Sequence, residues 1–222
     1  MKNLSKKVVL SVLLLGVSVA MTVLCYAYPK PAIVPAAGEW TVNVEYSRPF
    51  QVSMRLPGDR RSVQPRRFWC MILTVTNNTG KDVPFYPACD LVTDTFKVIP
   101  AGKDTMQVVF KRIKNLQQGR YPLLEPLEYV GNKLLQGEDN AKDIAIIWPD
   151  FDIAAKNVDI CIAGLSNETV PIDHPIKKDK DGNPEKVLLR KTLRLSYSIG
   201  GSPEFRSQAA LKFKAPLTWV LR

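Results

Sequence analysis

The chain holds a single histidine, His174, in the run Asp173-His174-Pro175. A Ser-His-Asp triad would need it as the base that takes the serine proton. The Gly-x-Ser-x-Gly turn that presents such a serine in one large enzyme class is absent. His174 therefore reads as a solvated loop residue. Asp150 and Asp152 flank Phe151 just after Trp148-Pro149. Paired carboxylates do glycosidase chemistry at suitable separation, but acids two apart on an extended segment only share a face. Trp148 and Phe151 fit either an aromatic sugar platform or a core plug at a strand end. Asp179-Lys180-Asp181-Gly182-Asn183 alternates oxygen ligands, as calcium loops do. An EF-hand puts glycine sixth and glutamate twelfth; here Gly182 is fourth and Arg190 twelfth, so the run reads as a polar turn. One histidine and scattered cysteines lack zinc-ligand spacing. No catalytic residue, metal or cofactor is assigned.

The charge pattern is more informative. The formal net charge of the 222 residues is +10. Three of those charges, Lys2, Lys6 and Lys7, lie in the first few residues, which leaves +7 on the rest. Such an excess attracts polyanions such as nucleic acid, anionic lipid or acidic glycan, and the partners expected are anionic glycan, anionic lipid or an envelope protein. No nucleic-acid motif accompanies it. Arg190 and Arg194 alternate with the leucines of Val187 to Ile199, and Lys212, Lys214 and Arg222 alternate with the apolar residues of Leu211 to Leu221. If these two strands pair as an antiparallel hairpin across Gly200 to Ala210, Arg190, Arg194, Lys212 and Lys214 form one basic binding face. The competing reading is an ordinary solvated sheet face whose lysines discourage edge aggregation.

The elements that would carry this face are mostly strands. Trp40, Val42, Val44 and Tyr46 alternate with polar residues, and Phe50, Val52, Met54 and Leu56 continue the period after Pro49. Phe68 to Val75 is apolar at both parities, the pattern of a central strand buried on each side. The Thr76-Asn77-Asn78-Thr79-Gly80 turn ends it. Short strands follow at Val83 to Tyr86 and Leu91 to Ile99. Asp104 to Gln117 switches to helical spacing, with Met106, Val109, Phe110 and Ile113 on one side, a capping pair at Asp104 and Gln107, and a stop at Gly119. Ile144 to Trp148 and Val158 to Ile162 read as further strands, and Asp173 to Glu185 as a polar loop. About eight short strands and one helix, separated by Asn, Gly and Pro turns, indicate a mainly β, antiparallel sandwich. The apolar fraction of 45% suffices for a packed core.

Val8 to Tyr28 is a continuous low-polarity run behind three lysines, the n-region and h-region of a secretory signal. Residues 1–27 are therefore a signal peptide cut after Ala27, or an apolar leader helix kept as a membrane anchor, since about 20 apolar residues span a bilayer. Residues 28–38, rich in Pro and Ala, read as a linker, and 39–222 as the β-sandwich domain. Either version places the domain outside the cytoplasm, in periplasm, envelope or medium, with membrane contact through the leader if it is uncleaved. Cys70, Cys89 and Cys161 remain beyond the leader. They are three buried apolar residues, or one disulfide and a leftover thiol; spacing does not choose.

The segments FWCMILTVTNNTGKDVPFYP from Phe68, GLSNET from Gly164 and RKTLRLSYSIGG from Arg190 resemble uncharacterised exported proteins of planctomycete-type bacteria with an immunoglobulin-like module. That resemblance implies an immunoglobulin-like β-sandwich. It brings no functional residues with it. The function expected is thus non-catalytic: a binding or structural envelope module. The alternatives are a hydrolase of a wall or surface polymer, or an accessory subunit of an envelope complex.

Overall fold

The computed structural model describes residues 29–56, 65–102, 107–214 and 216–222. The leader with its cleavage position after Ala27, most of the loop after Leu56, and the Asp104 helix cap lie outside the described residues. The described chain is mainly β. In order, it runs through β1 (Asn43–Tyr46), β2 (Phe50–Met54), β3 (Arg66–Asn77), β4 (Val83–Pro84), β5 (Ala88–Thr93) and β6 (Val98–Pro100). The helix α1 (Gln107–Gln117) follows, then β7 (Glu125–Pro126), β8 (Lys133–Leu134), β9 (Gly137–Pro149) and β10 (Asn157–Ala163). The chain closes with β11 (Thr169–Lys178), β12 (Pro184–Ile199), β13 (Leu211–Phe213) and β14 (Thr218–Leu221). Among the described residues no helix is long and apolar enough to cross a membrane.

Two of these sheets make the body. One has the order β1-β3-β9-β7, with β2 also on β3. β1 and β2 are two halves of one edge: β1 pairs with Leu73 to Thr76 and β2 with Arg66 to Cys70. Pro49 interrupts them, since it has no N–H for the ladder. Ser47 fills the gap, because its hydroxyl accepts the Ile72 N–H at 2.9 Å. The larger sheet has the order β11-β12-β10-β5-β6, and β13 and β14 also pair with β12.

The doubly apolar run from Phe68 lies at the centre of β3 and is buried from Phe68 to Leu73 and at Val75, with Thr74 half-buried. Its odd residues Trp69, Met71, Leu73 and Val75 pack with Ile144, Ile146 and Trp148 of β9 against the larger sheet. That sheet supplies Leu91, Val158, Ile160, Ile162, Leu193, Leu195 and Tyr197. The even residues Phe68, Cys70 and Ile72 face the other way, where Val109 and Ile113 of α1 cover them. The order of layers is therefore helix, smaller sheet, larger sheet. Period two explains the division, because successive side chains of a strand point to opposite faces. The larger sheet keeps its other face toward water, with Arg190 and Arg194 exposed there.

Several strands depart from the sequence expectation. Leu91 to Ile99 is a hairpin, β5 turning at Asp94 to Phe96 into β6. Asp173 to Glu185 is the outer end of the hairpin β11–β12, which extends past the sandwich as a largely exposed ribbon closed by a Lys186–Asp173 ion pair. Its high polarity hid a strand because two-stranded ribbons in water need no apolar face. Leu211 to Leu221 is two strands, with Pro216 in the break.

One buried contact ties the segment before β1 to the larger sheet. Lys191 of β12 meets Glu168 at 2.7 Å, and each side chain is only 5% exposed. The Ala32 N–H donates to the same carboxylate at 2.7 Å, and Lys191 donates to the Ala32 carbonyl at 3.2 Å. The Lys191 ammonium also sits 5.6 Å from the Trp219 ring centroid.

Cys70, Cys89 and Cys161 are buried and unpaired. Cys89 opposes Ile162, and Cys161 opposes Asp90, one register step away. The two thiols therefore leave opposite faces of the sheet and cannot bridge without backbone movement. Burial pushes all three thiols up from their ordinary value, so the reactive thiolate is scarce. Native protein should resist a thiol reagent until denaturant is added, and reductant should leave its melting temperature unchanged. A melting temperature that drops with reductant would reveal a disulfide and overturn this assignment.

Candidate functional site

The solvent face of the larger sheet carries the candidate basic residues. On β12, Leu189, Leu193, Leu195 and Tyr197 are buried on one face, and Arg190, Arg194, Ser196 and Ser198 lie on the other, where Thr192 between the two arginines is also buried. β13 and β14 add their outward residues by register. Lys212 opposes Ser198, and the Lys214 N–H bonds to the Ser196 carbonyl at 2.9 Å. Thr218 opposes Arg194, and Arg222 exchanges backbone bonds with Arg190 at 2.8 and 3.0 Å.

All four cations singled out from sequence, Arg190, Arg194, Lys212 and Lys214, are exposed on this one face. Arg222 joins them. The expected pairing of Val187 to Ile199 with Leu211 to Leu221 is present, although through two short strands. The connection between β12 and β13 contains a 3-10 turn, Pro203–Gln208, capped by Ser202.

The cations are not equally free. Arg222 meets Asp90 at 3.3 Å. Lys214 donates to the Asn157 side-chain oxygen at 3.1 Å. Among the described residues no ion pair or side-chain hydrogen bond engages Arg190, Arg194 or Lys212. Two acids, Asp90 and Asp159, enter the face from β5 and β10. Asp159 accepts the Ser196 hydroxyl at 2.6 Å. Sequence reasoning missed both acids, because only long-range pairing brings β5 and β10 beside β12.

Spacing then decides what this face can hold. Arg190 and Arg194 are four residues apart, about 13 Å at ~3.3 Å per residue, and the row reaches about 26 Å at Lys212. Arg190 and Arg194 stand further apart than the ~8 Å Debye length of physiological salt. Lys212 and Lys214, two residues apart, are about 7 Å from each other. A small anion at Arg190 would hardly feel the two lysines. An extended polyanion or an anionic surface is long enough to meet each cation in turn.

The other candidate residues have structural duties. The His174 Nδ1 accepts the N–H groups of Ile176 and Lys177 at 3.1 and 2.9 Å, closing a local turn. The Asp179 carboxylate accepts from Asp181 and Asn183, which makes the Gly182 run a capped turn. Asp150 receives the Arg67 guanidinium at 2.7 Å and the Trp69 indole N–H at 3.0 Å. Asp152 caps the Ala154 N–H at 3.0 Å and pairs with Lys97 at 3.3 Å. Trp148 and Phe151 are both buried in the core, so neither offers a ring face to a sugar. Among the described residues no group of three His, Cys, Asp or Glu side chains is placed to hold a metal ion.

No family model matches the chain, and neither a curated protein nor a solved structure matches it.

Proposed function

We propose that this chain is an exported, non-catalytic binding module of the cell envelope, and that the outer face of the larger sheet recognises an extended polyanion. The observation that carries the reading is the row of Arg190, Arg194, Lys214 and Lys212 on one solvent face, three of them with no side-chain ion pair or hydrogen bond among the described residues. Export rests on the leader: three lysines, then the apolar run Val8 to Tyr28.

An immunoglobulin-like assignment of the sandwich belongs to the same proposal. Its support is strand order. β1, β3 and β9 neighbour one another as strands A, B and E do, and β5, β10 and β12 as strands C, F and G do. β7 departs from that pattern, because it pairs with β9 in parallel.

The test is retention on an immobilised anionic polysaccharide, dextran sulfate, at low and high salt. Near an anionic surface each cation contributes about 1 kcal/mol, so reversing two of them should weaken binding by roughly tenfold or more. Arg194→Glu with Lys212→Glu is the variant of choice, since both side chains are exposed and the fold does not use them. An unchanged melting temperature with lost, salt-sensitive retention supports the proposal. Equal retention of wild type and variant would refute it.

A further inference from the structure

Three segments meet at the end of the sandwich where β5, β9 and β12 finish. The β5–β6 turn is fastened to the β9–β10 loop: the Asp94 carboxylate accepts the N–H groups of Lys156 and Asn157 at 3.1 and 3.0 Å. Lys97 reaches across to Asp152 at 3.3 Å. The connection after β12 is fastened to the same loop by Arg206. Its guanidinium donates to the carbonyls of Ala155 and Asp152 at 3.2 and 3.0 Å and lies 4.5 Å from the Phe151 ring centroid.

Each segment carries one large apolar side chain into water. Phe96 is 96% exposed, Phe205 59% and Ile153 52%. Phe96 is also, among the described residues, the one non-glycine with a positive φ, at 60°. A bulky residue is disfavoured in that conformation, and a hairpin turn that needs it usually takes Gly or Asn. The turn holds itself by backbone and hydroxyl bonds: the Phe96 N–H donates to the Thr93 carbonyl at 3.0 Å, and the Lys97 N–H to the Thr93 hydroxyl at 3.1 Å. None of these bonds uses the ring. The phenyl side chain thus costs the isolated domain twice, in backbone strain and in exposed apolar area, and gives nothing to its fold.

Cations border these tips. Lys156 is exposed in the middle segment. Lys214 reaches Asn157, and the Lys212 side chain passes beside Gly200. Of the nearby acids, Asp94 and Asp152 are occupied by the bonds above, and Glu204 is exposed.

We propose that this end of the domain docks on an anionic lipid bilayer, with Phe96, Ile153 and Phe205 entering the boundary between headgroups and acyl chains and Lys156, Lys212 and Lys214 meeting lipid phosphates. The inference rests on the basic-face reading for Lys212 and Lys214, and narrows its polyanion to a lipid surface. A dissolved polyanion would satisfy the lysines but offers no apolar phase to three separate loop tips. A bilayer offers both, and aromatic rings and lysines suit its interface.

The experiment is co-sedimentation of the purified protein with phosphatidylcholine vesicles, with and without phosphatidylglycerol, beside dextran sulfate binding. Wild type should bind the anionic vesicles and not the zwitterionic ones. Phe96→Asn places a residue that tolerates positive φ in the turn, so the fold should melt no earlier than wild type. Losing one exposed ring from the membrane should weaken vesicle binding roughly tenfold or more, with dextran sulfate binding unchanged. Ile153→Ser should act in the same direction as a second, independent tip. Binding of dextran sulfate without binding of anionic vesicles would overturn the membrane inference and leave the basic-face reading standing. Vesicle binding that is untouched by both substitutions would overturn insertion of the tips. Binding to neither probe would overturn both proposals.

Discussion

Lys191→Met should destabilise the domain by about 3–5 kcal/mol, the usual cost of leaving one partner of a buried ion pair uncompensated. Glu168 and Lys191 face each other at 2.7 Å with only 5% of each side chain exposed. Removing the ammonium strands a carboxylate away from water and releases the Ala32 carbonyl as well. Glu168→Leu with Lys191→Met should recover much of the loss, since apolar replacement of a whole buried pair is often neutral. Urea denaturation of wild type, single and double variants measures both. A single-variant change near zero would mean that water reaches the pair.

The same pair sets an acid limit. Burial alone raises the Glu168 carboxyl, but the Lys191 hydrogen bond, the Ala32 N–H and the Lys191 charge outweigh it and hold the group below its ordinary value of 4.5. A carboxyl depressed on folding contributes stability that is fully present above its unfolded value. That contribution is lost as pH falls through the folded value. Stability should therefore decline below about pH 4.5, and Glu168→Gln should flatten that part of the curve.

The second large effect belongs to β3. Ile72→Ala and Leu73→Ala should each cost about 2–5 kcal/mol, the transfer free energy of the lost methyl groups plus the cavity left behind. The two sites report on different layers. Ile72 packs toward α1, and Leu73 toward the larger sheet. A small cost at Ile72 with a large one at Leu73 would show that the helix layer can open while the sandwich stays closed. Small costs at both would show that β3 is not central.

β3 was legible because a strand buried on both faces needs apolar residues at both parities, and FWCMILTV has them. The outward position of Arg190, Arg194, Lys212 and Lys214 was legible for the complementary reason: they fall on the parity opposite Leu189, Leu193, Leu195, Leu211 and Phe213. The ribbon at Asp173 to Glu185 was not legible, because a hairpin solvated on both sides shows no hydrophobic period. Asp90 and Asp159 escaped notice as members of the basic face, since their place depends on which strands neighbour β12. The Ala32–Glu168–Lys191 contact joins residues more than 130 positions apart and follows no local pattern. Phe96 looked like one more apolar residue of a strand; only its backbone angle and its exposure set it apart.

The central claim is that the outer face of the larger sheet holds an extended polyanion through cations. Titration of the purified protein with dextran sulfate, followed by calorimetry at low and at high salt, tests it most directly. Exposed charges attract across water and are screened by salt. Binding should be tight at low salt and weaken steeply as salt rises, and the Arg194→Glu, Lys212→Glu variant should lose that salt-sensitive binding. Absence of binding at low salt, or binding indifferent to salt, would contradict it.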